Sequence, residues 1–64
     1  MVTNAEMYLK CMQIEALVSS MVLSGINDNR KLTEAVDKQF RPVTEWEQEM
    51  YSEAIIYAKY AILN

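Results

Sequence analysis

The chain has 64 residues, one cysteine, no histidine and a formal net charge of −3. Cys11 alone cannot form an intrachain disulfide, the usual zinc ligand sets are missing, and an acidic chain is a poor default binder of nucleic acid, whose affinity comes from Lys and Arg. With 52% hydrophobic and 23% charged residues, one Gly and one Pro, this is the composition of a folding chain; so short a length predicts one domain, residues 1–64, that needs an oligomeric or partner staple.

The N-terminal stretch MVTNAEMYLKCMQ carries charges too early for the apolar core of a signal peptide. A first helix is predicted from about Asn4 to Leu23. Thr3 or Asn4 can cap it, and Glu6 sits in the first turn, where the helix dipole favours an acid. Gly25 is placed to stop it, being free to take positive φ. The stretch GINDNRK reads as a turn, because Asn27, Asp28 and Asn29 have short side chains that bond nearby backbone N–H groups. It lacks the Gly and the closing Glu of a calcium loop. A short second helix follows, from about Arg30 to Phe40. Pro42 ends it and pushes Arg41 out of helical geometry.

The third helix, from about Glu45 to Leu63, opens on TEWE. Thr44 is its cap and Glu47 its third residue, which is a capping box. Its end, SEAIIYAKYAILN, has only Lys59 as a charge between Ala54 and Leu63. That apolar run of about ten residues is half of the roughly 20 needed to cross a bilayer, so no membrane span is expected. No alternating apolar run is bounded by turn residues, so no strand is expected either. The fold class is therefore all-α: a small three-helix bundle with two long helices and one short one.

The two long helices are apolar on more than one side. On the first, Met7, Cys11, Ile14, Val18 and Met21 form a seam with alternating four- and three-residue spacing, widened by Leu17 and Val22. A second seam, Ala5, Leu9, Met12, Ala16, Ser19 and Leu23, lies nearly opposite. The third helix directs Met50, Ala54, Tyr57, Ala58 and Ala61 inward, flanked by Trp46, Tyr51, Ile55 and Ile62. Its rear begins polar and turns apolar at Ile56, Tyr60 and Leu63. The second helix is one-sided: Leu32, Val36 and Phe40 point in, with Val43 just beyond. A helix that is apolar all round has to be covered all round, and one short helix cannot cover both long ones. The expectation is a homodimeric helical bundle, two-fold symmetric in its simplest form, or docking on a larger protein. The interface residues are Leu9, Met12, Ala16, Leu23, Ile56, Tyr60 and Leu63. Tyr60 is the expected anchor, since aromatic residues are enriched at interface centres.

The chemical candidates read as structural. Cys11 lies on an apolar seam with no histidine to deprotonate it, the setting of an inert small hydrophobe. Glu45, Glu49 and Glu53 read as a solvated acidic ridge, able to dock on a basic surface. Arg30, Lys31, Lys38 and Arg41 read as a solvated basic face. A helix-turn-helix across RPVT would put Glu-Trp-Glu-Gln-Glu at the start of the reading helix, which would repel phosphate. No Gly-rich phosphate loop, Ser-His-Asp set or Cys cluster is present, so no catalytic residue, cofactor or metal is expected. The reading is an acidic, cytoplasmic, helical module that binds itself and another protein as a regulator or inhibitor. By analogy alone, such chains are often of phage or mobile-element origin and block a host machine. The alternative is a dimeric nucleic-acid-binding regulator using the basic face of the second helix. An enzyme is the third reading, and would need a buried Glu47 or Glu53 to shift a carboxyl pKa.

Overall fold

A computed structural model describes residues 3–63, which form three α-helices and, among the described residues, no strand. Helix α1 spans Asn4–Leu23, α2 spans Asn29–Phe40 and α3 spans Glu45–Leu63. Each boundary has a local cause. The Thr3 hydroxyl accepts the Glu6 N–H at 3.2 Å and starts α1. At its other end, Ile26 N–H donates to the Met21 carbonyl and Gly25 N–H to Val22. This is a Schellman closure, which needs a left-handed residue. Gly25 supplies it with φ of 96°. A Cβ added there would meet no atom within 4 Å, so the demand at Gly25 is on backbone angle alone.

The Asp28 carboxylate accepts the Arg30 N–H at 2.9 Å, so α2 begins at Asn29, one residue earlier than the sequence suggests. It ends at Arg41, whose φ of 46° and ψ of 76° are left-handed. A non-glycine residue adopts this conformation at some cost, and Pro42 denies Arg41 the helical alternative. The capping box then opens α3. Glu47 N–H donates to the Thr44 hydroxyl at 3.1 Å, and Thr44 N–H donates back to the Glu47 carboxylate at 3.2 Å.

The path is up, down, up. Met7 and Tyr8 line one hollow with Trp46 and Met50, while Cys11 and Glu15 line the next with Glu53 and Tyr57. Residue numbers rise together along that shared edge, so α1 and α3 run parallel. The start of α2 lies by the end of α3, where Lys59 Nζ donates to Asn29 Oδ1 at 2.8 Å. The end of α2 lies by the first half of α3, where Phe40 meets Tyr51 edge-on at 6.3 Å. The α1–α3 contact is by far the most extensive of the three.

Met7, Ile14, Val18 and Val22 meet Leu32 and Val36, and Tyr51, Ala54, Ile55 and Ala58 close the core from α3. Fully burying an aliphatic side chain of this size stabilises by about 1.5–3 kcal/mol. The α3 arc is rotated from the expected one. Tyr51 and Ile55 are buried in it, whereas Tyr57 is 71% exposed and Ala61 is exposed. Contact with α2 draws α3 round toward Tyr51 and Ile55, which leaves the other apolar edge outside. Val43, expected just beyond the inward face of α2, is 82% exposed, because the left-handed turn at Arg41 redirects the chain before it.

Two substitutions test this packing. Ala58→Leu adds volume at a buried contact and should lower stability by about 1–3 kcal/mol, read as a lower urea midpoint. The Tyr51 hydroxyl is buried with no hydrogen-bond partner among the described residues. Leaving such a group unpaired costs about 1–3 kcal/mol, so Tyr51→Phe should raise the midpoint; a fall would show that the hydroxyl is bonded.

Candidate functional site

At 100° per residue, the core-facing residues of α1 centre on Ile14 and Val18, and Ala5, Leu9, Met12, Ala16 and Leu23 fall on the far side. All five are exposed, Leu23 at 75%; Ser19, between them, is half-buried. On α3 the rear stripe of Ile56, Tyr60 and Leu63 is about half exposed. Tyr57, Tyr60, Ile56 and Ala61 line a shallow apolar hollow on that stripe. Among the described residues, nine of the eleven exposed large hydrophobic side chains belong to α1 or α3 and none to α2. The two long helices therefore carry almost the whole surplus.

A second feature is absent from the expected interface. Between α1 and α3, lined by no residue of α2, runs an apolar groove. Its upper part is formed by Asn4, Met7, Tyr8, Cys11, Trp46 and Met50. Its lower part continues through Cys11, Glu15, Met50, Glu53, Ala54 and Tyr57. Tyr57 belongs to this groove and also to the rear hollow with Tyr60, so groove and stripe form one continuous face. On the α1 side, Tyr8 adjoins Leu9 and stands one helical turn from Met12. The sequence contains the signal: Trp46, Met50, Glu53 and Tyr57 have four- and three-residue spacing. That seam cannot be told from a core seam until the placement of α2 decides which edge of α3 is covered.

Cys11 is half-buried in the groove wall. Burial pushes its thiol above the usual value, and the negative charges of Glu15 and Glu53 push the same way. A thiol held protonated is a poor nucleophile.

The acidic ridge is drawn together on the surface. Glu45, Glu49 and Glu53 are exposed and share an open depression with Gln48 and Ser52. Glu47 differs from its neighbours, being 5% exposed. Its Oε1 accepts from the N–H groups of Val43 and Thr44 and from the Thr44 hydroxyl, at 3.2–3.3 Å. Its Oε2 lies 4.0 Å from Lys10 Nζ. Burial acts to raise the Glu47 carboxyl pKa. The Thr44 and Val43 N–H groups, the Thr44 hydroxyl and the Lys10 ammonium outweigh that and hold it below the ordinary value. A general acid at neutral pH needs the opposite shift, so the buried glutamate is suited to a cap and to tying α3 to α1.

The four candidate basic residues are exposed but do not act as one patch. Lys31 and Lys38 lie seven residues apart on one line of α2, whereas Arg30 Nε is bonded to Glu34 at 3.3 Å. Arg41 follows the helix in its left-handed turn. Glu34 and Asp37, also exposed, interrupt the positive charge. Among the described residues, no group of three His, Cys, Asp or Glu side chains could hold a metal ion. No described helix is long and apolar enough to cross a membrane.

No protein-family model matches the chain, and no curated protein or solved structure matches it. Function is therefore read from the surfaces themselves.

The capping carboxylate has a pH signature. Its folded pKa lies below the unfolded value of about 4.3, so its contribution is complete above that pH and is lost as pH falls through the folded value. Glu47→Gln retains an acceptor for the box but cannot titrate. Thermal melts of the variant from about pH 7 to 3 should fall less steeply on the acid side than those of the wild type. An unchanged acid slope would assign the linkage to other carboxylates.

Proposed function

We propose that this protein is a small acidic helical interaction module that associates with itself and binds another protein as a regulator or inhibitor. The observation that carries this reading is the apolar face on α1 and α3, where Tyr8, Leu9, Met12, Leu23, Ile56, Tyr57, Tyr60 and Leu63 are all exposed. Contiguous exposed apolar surface of several hundred Å² marks interaction sites in proteins generally. Area supports the same reading. A standard interface takes roughly 800 Å² from each partner, and two outer helix faces are enough to supply it. The outer seam of α1, with Leu9, Met12, Ala16 and Leu23, is the surface assigned to self-association.

The alternative, a nucleic-acid-binding dimer, rests on Lys31 and Lys38. It is the weaker reading because Glu34 and Asp37 share that surface and Arg30 is already paired.

Light scattering behind size exclusion, at several concentrations, tests the reading. The expected mass is that of a dimer or larger. Met12→Glu should bring it to the monomer value with helicity unchanged, since Met12 is exposed and outside the core. A wild-type monomer at all concentrations would overturn self-association. A dimer unaffected by Met12→Glu would remove this seam from the interface.

A further inference from the structure

We infer that the groove between α1 and α3 is a docking site for a cationic amphipathic helix of a partner protein, an inference that rests on the protein-binding function proposed above. The floor of the groove is apolar, with Tyr8, Trp46, Met50 and Tyr57 along it. Its charged residues are Glu15 and Glu53. Glu53 also belongs to the ridge with Glu45 and Glu49, so the acidic ridge adjoins the lower part of the groove on its α3 side.

Among the described residues, no Lys or Arg side chain lines the groove. The chain has six Lys and Arg residues. Four belong to α2 and its C-cap, Lys10 lies against Glu47, and Lys59 is bonded to Asn29. An apolar floor flanked by acids, with no Lys or Arg of its own, complements a helix that carries a hydrophobic stripe flanked by Lys and Arg. The α1 residues of the groove run from Asn4 to Glu15, a length of roughly 17 Å, or three helical turns. Apolar anchors at i, i+3 or i+4, and i+7 would then reach the floor, as in other helix-in-groove complexes. A second copy of this chain fits poorly, because a two-fold contact sets a patch against itself, and both sides would then bring the negative charge of Glu15, Glu49 and Glu53 with no Lys or Arg to oppose it.

The probe is an 18-residue helical peptide of Leu and Lys, with Leu at that spacing, alongside a counterpart with Glu in place of every Lys. Trp46, the one tryptophan, lies in the groove and reports occupancy by its fluorescence. The Leu/Lys peptide should shift that emission and the Leu/Glu peptide should not. Joint reversal, Glu49→Lys with Glu53→Lys, should weaken the Leu/Lys peptide by about tenfold or more. Asp37→Lys on α2 should have a much smaller effect. Tyr57→Ala, at an exposed position outside the core, should weaken binding while helicity is retained.

Equal binding of both peptides would overturn the charge assignment while leaving a protein-binding groove. Binding of neither would overturn the groove as a helix site, and with it this part of the functional reading. An equal loss on Asp37→Lys and on the groove reversals would show diffuse attraction instead of a site. A dimer in solution that Tyr57→Ala converts to monomer would assign the groove to a second copy and overturn the inference.

Discussion

Two helices that pack side by side in parallel need a chain that returns between them, and that requirement governs this molecule. α1 has 20 residues and α3 has 19, roughly 30 Å each, whereas the returning α2 has 12, roughly 18 Å. The remainder of the return is made by the connections on either side of α2. Each is set by a left-handed residue, Gly25 at one end and Arg41 at the other. At the close of the second connection, Glu47 binds the N–H groups of Val43 and Thr44 and approaches Lys10 of α1. A single carboxylate thus joins the end of the return, the start of α3 and the first half of α1. The low pKa is the thermodynamic expression of that junction, since the charged form is the one the surrounding donors favour.

A short return also decides what remains uncovered. α2 lies against the edge of α3 that carries Tyr51 and Ile55, so these become core and the edge with Trp46, Met50 and Tyr57 becomes a wall of the groove. The same apolar residues could have served either role. The charges differ between the two edges: the flank of α2 is mixed, with Lys31 and Lys38 beside Glu34 and Asp37, and the groove flank carries only acids, Glu15, Glu49 and Glu53. The exposed apolar edge of α3 and the acids beside it therefore lie together, which makes the groove face the place to seek a partner.

Much of this was legible in the residues, for reasons that differ by element. Helix ends were readable because caps are local: Thr44 and Glu47 are three apart and need no tertiary partner to pair, and Gly25 meets a demand of its own backbone. The exposed second seam of α1 was readable because it lies opposite a bulkier seam, and only one side of α1 can face α2 and α3 together. The buried arc of α3 was not readable. Its apolar residues run almost the whole way round, so periodicity cannot choose between Tyr57 and Tyr51, and the choice is made by α2 from outside the segment. Glu47 was legible as a cap but not as a buried charge, because its burial depends on how Val43 and Lys10 come to rest around it. The four basic residues read as one face in sequence, yet the pairing of Arg30 with Glu34 and the turn at Arg41 divide them.

The thinness of the molecule has an electrical consequence. The molecule measures 35 × 19 × 15 Å, and electrostatic influence in physiological salt decays over about 8 Å. The thickness is thus about two screening lengths, enough for each flank to be largely hidden from the other. A net charge of −3 therefore describes neither side well. An approaching polycation meets the field of Glu15, Glu49 and Glu53 with little cancellation from α2, whereas a polyanion at Lys31 and Lys38 also meets Glu34 and Asp37. Lowering the salt lengthens the screening distance until the two sides are felt together. Long-range attraction to either kind of partner should then become less selective between the flanks, even as each local interaction grows stronger.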